Sequence, residues 1–148
     1  MEDQKENDLF FVCSLIEYIA RSTFNTKKYI VETIGKDKIR KIYELAEVYH
    51  SENIDKVCED LVKECHIKKG DYDILSKILN ENPPSHWDMG RVYQRIILAI
   101  SKDESEFIDK LMEVLTSWII HHFDNYDSSL YFENPGYILV CYQEGKII

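Results

Sequence analysis

Apolar positions recur every three or four residues along most of the chain, the period of helices packed on one side. From Asp8 to Ser22, Leu9, Val12, Cys13, Ile16, Ile19 and Ala20 share a face, and Phe10, Phe11, Leu15 and Tyr18 fill much of the remainder. A helix apolar nearly all round belongs at the centre of a bundle. Asp3 and Glu6 have capping-box spacing and move its start upstream. A shorter helix is expected from Asn25 to Ile34, with Asn25 as cap and Gly35 as terminator. Lys38 to His50 reads as a third, burying Ile39, Ile42, Tyr43, Ala46 and Tyr49. Ser51 is the expected cap of a fourth, whose Ile54, Val57, Cys58, Leu61, Val62 and Cys65 repeat at three and four.

The pattern is weakest from His66 to Pro84. There Lys68-Lys69-Gly70 and Asn80-Glu81-Asn82-Pro83-Pro84 act as breakers around one short helix at Tyr72–Leu79. This is the one candidate sub-division of a single domain spanning 1–148. Ser85 and Asp88 form a capping box for a fifth helix, which buries Met89, Val92, Tyr93, Ile96, Ile97 and Ile100. Asp103 and Glu106 repeat the box before a long sixth helix, with Phe107, Ile108, Leu111, Met112, Leu115, Trp118, Ile119 and His122 on one face. Asn134-Pro135 starts a last helix over Gly136–Gln143, stopped by Gly145, although Tyr137–Tyr142 has strand propensity too. The expectation is all-α: an irregular bundle of about six or seven helices around the N-terminal one.

Composition narrows the function. At 148 residues and 45% apolar content the chain is long enough for one packed domain, and it is no acidic disordered tail. Its 27 acidic and 18 basic residues leave a net charge of −9. That argues against sequence-independent nucleic-acid binding and against an anionic membrane surface. No apolar run suits a membrane span, and Met1–Asp8 is too acidic and polar for a secretory signal. Four widely spaced cysteines then imply reduced thiols and a cytoplasmic setting.

Cys13, Cys58 and Cys65 fall on the apolar stripes of their helices, where cysteine behaves as a small hydrophobe. His121 and His122, being adjacent, point about 100° apart on a helix and grip one ion poorly. Neither a metal nor another cofactor is expected. Glu17 lies within the most apolar helix, with Arg21 one turn on as its natural partner. The densest polar cluster is at 85–95. His86, Asp88, Arg91 and Tyr93 there could bind an anion or serve a small enzyme. Capping by Ser85 and Asp88, a solvated face for Arg91 and Arg95, and packing of Trp87 explain the same residues.

Between Lys110 and Lys146 there is no Lys or Arg. Asp124, Tyr126, Asp127, Tyr131 and Glu133 make that stretch a candidate face for a basic protein partner, since aromatics anchor interfaces and charge steers encounter. Completion of the core is the competing account. A homodimer that buries an apolar surplus is a further expectation.

The order Phe11-Val12-Cys13, Ile16-Glu17-Tyr18, Lys27-Lys28 with Val31, Gly35-Lys36, Ile42-Tyr43-Glu44, Tyr49-His50 and Val57 with Asp60 resembles an uncharacterised family of small helical bacterial domains. The likeness spans residues 8–62. Members of that family tend to be encoded beside ADP-ribosyltransferase-like toxin domains, which implies an antitoxin or immunity-like partner. The function expected is therefore a non-enzymatic protein-binding module, with a ligand binder or small enzyme at 85–95 as the alternative.

Overall fold

The computed structural model describes residues 3–73, 83–124, 130 and 133–148. Among them the chain is all-α, with no strand, and no helix is long and apolar enough to cross a membrane. In order the helices are α1 (Gln4–Thr23), α2 (Lys27–Ile34), α3 (Lys36–Glu44), α4 (Ala46–His50) and α5 (Ile54–Glu64). Then follow α6 (His86–Ile100), α7 (Phe107–Leu115), α8 (Ile120–Asp124) and α9 (Pro135–Glu144).

Local chemistry sets most boundaries. Asp3 caps α1 by accepting from the Glu6 backbone N–H. Both halves of the Ser85–Asp88 capping box form at the start of α6. Asn134 accepts from the Gly136 N–H with Pro135 at the first turn of α9, and Gly145 closes that helix at φ +76°. Gly35, at φ +86°, separates α2 from α3.

Two expected caps are corrected. Asn25 does not cap α2, because its side-chain amide donates to Thr23 Oγ1 and to the Lys68 carbonyl; Thr26 caps instead. Ser51 does not cap α5, because its hydroxyl donates back to the Val48 carbonyl; Asn53 takes the role. Two expected helices are also divided, so the described residues hold more helices than the six or seven expected. The segment 38–50 breaks at Leu45, where nothing in the sequence forces it. The long sixth helix ends at Leu115 because Thr116 and Ser117 hydroxyls donate to the Met112 and Val114 carbonyls and offer the chain a turn. The expected helix at 72–79 lies almost entirely outside the described residues.

The core joins both halves. α1 packs against α2, α3, α4, α5 and, most extensively, α6. Its crossing with α6 is close because both helices are small there. A Cβ on Gly90 would overlap Ser14 Oγ and lie 2.8 Å from the Ser14 backbone nitrogen and Cα. The other side of α6 meets α7 and α9.

Candidate functional site

A buried ionic network lies on the α1 side of α6. Glu17 and Arg21 sit one turn apart on α1, and Arg21 Nε donates to Glu17 Oε2 at 2.8 Å. Tyr93 of α6 donates its hydroxyl to Glu17 Oε1 at 2.6 Å. Lys27, the first residue of α2, holds its ammonium 3.3 Å from Glu17 Oε1 and 2.5 Å from Asp124 Oδ1 at the end of α8. Glu17 and Lys27 are fully buried and Asp124 nearly so. Burial pushes the Asp124 carboxyl above its ordinary range, with Lys27 opposing and Glu17 adding to the shift. Tyr72 donates to the Asp124 carbonyl at 2.8 Å, and Arg21 to that of Pro84 at 2.7 Å.

This corrects one expectation. Asp124 is not part of an exposed acidic face, because Lys27 draws its carboxylate inward. Tyr126, Asp127 and Tyr131 lie outside the described residues. Of the five residues expected on that face, Glu133 is described and exposed.

The 85–95 cluster does not converge either. His86 packs its ring against Tyr18 and Trp87, at centroid distances of 5.0 and 4.7 Å. Burial lowers its pKa from the ordinary 6.5, and Arg21 lowers it further. Asp88 Oδ2 accepts from the Ser85 backbone N–H in the cap. Arg91 lies 3.9 Å over the Phe10 ring and donates to Gln94 Oε1 at 2.8 Å. Tyr93 turns to Glu17. The four side chains are spent on four separate tasks.

The thiols are packing material. Cys13, Cys58 and Cys141 are buried, and burial pushes the Cys58 thiol up to about 11 and that of Cys13 further. His121 is exposed and His122 half-buried, meeting the Trp118 ring edge-on at 5.5 Å. Among the described residues no three His, Cys, Asp or Glu gather as a metal ion would need.

On the other side of α6 a cavity of about 540 Å³ opens toward α9. Val92 and Ile96 of α6 and Ile138 and Leu139 of α9 supply its apolar lining. Asp88, Arg91, Arg95 and Glu133 also border it. Small residues keep it open: Ala99 on α6, and Gly136 on α9, where an added Cβ would meet only Asn134 Oδ1 at 3.1 Å. From the sequence alone Arg95 belongs on a solvated face and has no task. Its spacing of one turn from Arg91 was the available signal, but only the arrival of α9 makes a wall there.

α9 itself is unusual. Its sequence is apolar on nearly every side, yet its fully buried side chains are Ile138 and Cys141. Val140 and Glu144 follow one another on its outward stripe at helical spacing, with Val140 40% exposed, while Tyr137, one turn earlier, is half-buried against the core. Ile147 and Ile148 beyond it are exposed as well, and the Tyr137 hydroxyl contacts the Ile148 carbonyl. No family model, no curated protein and no solved structure matches this chain.

Proposed function

We propose that the protein is a non-enzymatic protein-binding module whose docking face is the outward stripe of α9. One observation carries this reading: a helix apolar nearly all round packs at the edge of the molecule, with Val140 and the following Ile147 and Ile148 exposed. Helices of that pattern are ordinarily enclosed, and here a partner supplies the missing cover. Glu144 adds an acidic charge to the stripe, and no Lys or Arg interrupts the sequence between Lys110 and Lys146. A partner with a basic surface therefore suits it. A neutraliser of an effector protein, as the resemblance over residues 8–62 implies, is a module of this type.

The test is affinity capture from host extract with the wild type and with Val140→Glu. Loss of the wild-type-specific partner in the variant, with the melting temperature unchanged, supports the reading. Retention of the same proteins by both, or of none by the wild type, overturns it.

A further inference from the structure

We infer that the cavity between α6 and α9 binds a short apolar peptide, or a single apolar amino acid, through both of its charged termini. The inference goes beyond the docking face, because the cavity opens on the other side of α9. At about 540 Å³ it falls within the roughly 300–1,000 Å³ of small-molecule sites. Val92, Ile96, Ile138 and Leu139 give it a lining suited to aliphatic side chains.

The bordering charges decide the ligand. Two of the four already have work inside the fold. Asp88 accepts from the Ser85 N–H in the α6 cap, and Arg91 is stacked on Phe10 and bonded to Gln94. The other two, Arg95 and Glu133, are exposed, and among the described residues neither has an ion pair or a side-chain hydrogen bond. They come from different walls, Arg95 from α6 and Glu133 from the residue before the α9 cap.

A guanidinium matches a carboxylate with two parallel hydrogen bonds, and a carboxylate accepts from an ammonium. A ligand with an apolar body and one charge of each sign satisfies both walls and the lining together. A fatty carboxylate would leave Glu133 facing a ligand of its own sign, and an apolar amine would do the same to Arg95. Zwitterionic apolar peptides and amino acids use every feature. Ala99 and Gly136 are the small residues that leave room for such a body.

The experiment titrates the ¹⁵N-labelled full chain with leucine, Leu-Leu and Leu-Leu-Leu, then with the N-acetylated and C-amidated forms of the best binder. The expected result is a set of shifts confined to α6 and α9, with each blocked form weaker by about tenfold, the scale of one charge-assisted hydrogen bond. Arg95→Gln should abolish the preference for the free acid over the amide. Glu133→Gln should abolish the preference for the free amine over the acetylated form. Ala99→Phe, which fills the cavity, should remove binding altogether. Blocked forms that bind as well as the free peptide, or an absence of α6–α9 shifts at millimolar peptide, would overturn the inference. Val140→Glu leaves peptide binding intact, so failure of the docking face and failure of the cavity are read separately.

Discussion

The two sides of α6 are built in opposite ways. Toward α1 the helix comes so close at Gly90 and Ser14 that a single methyl does not fit. Polar ties cross that seam, from Tyr93 to Glu17 and from Gln94 Nε2 to the Glu6 carbonyl at 2.8 Å. Toward α9 the same helix leaves a cavity, and two bordering charges stay unpaired among the described residues. The lesson is that apolar content alone does not decide closure. Small residues at the crossing and polar ties across it close one seam, whereas small residues without such ties leave the other open.

The largest expected effect tests the closed side at its ionic network. Lys27→Met leaves the Glu17 and Asp124 carboxylates facing one another without the cation between them. Removing one partner of a buried pair costs about 3–5 kcal/mol. Urea denaturation should show that loss, and a change below about 1 kcal/mol would show that the network does not hold this seam. The next test compares the two sides directly. Gly90→Ala forces α1 and α6 apart and should cost about 1–3 kcal/mol, as overpacking does. Gly136→Ala, in the open seam, should change stability by no more than about 0.5 kcal/mol. Equal effects at the two glycines would erase the contrast.

The smallest effect is a pH dependence at His86, where the closed seam begins. Its folded pKa lies below the ordinary 6.5, chiefly through burial. Between those two values the unfolded chain holds a proton that the folded chain does not. Stability from this group is therefore present above pH 6.5 and is lost as pH falls toward the folded pKa. Relative to His86→Gln, the wild type should become less stable on acidification below pH 6.5. Taking the difference cancels the contribution of Asp124, whose raised carboxyl acts in the opposite direction. A constant difference from pH 7.5 to 5 would contradict it.

The sequence made the local parts legible. Asp3, the Ser85–Asp88 box, Asn134-Pro135 and Gly145 act where their spacing places them, because a cap is decided within one turn of chain. Ser51 and Asn25 misled because each spends its side chain on a carbonyl, and for Asn25 the carbonyl of Lys68 is far along the chain. Lys27 was illegible. It stands beside Lys28 at a helix start, and only the tertiary arrival of Glu17 and Asp124 distinguishes the two. Glu17 pointed to Arg21 by its spacing, but its bond to Tyr93 joins residues brought together only by the α1–α6 crossing. The candidate site was half visible: Asp88, Arg91 and Glu133 border one cavity, but no periodicity could say that α9 returns to α6.

The members of the ionic network come from four helices: Glu17 and Arg21 from α1, Lys27 from α2, Tyr93 from α6 and Asp124 from α8. An assembly intermediate that lacks any one of them strands a bare charge in a dry interior, so partly docked forms are penalised together. The cluster thus works as a check on assembly. It couples the first third of the chain to residue 124, an arrangement that favours all-or-none melting over a stepwise peeling of helices.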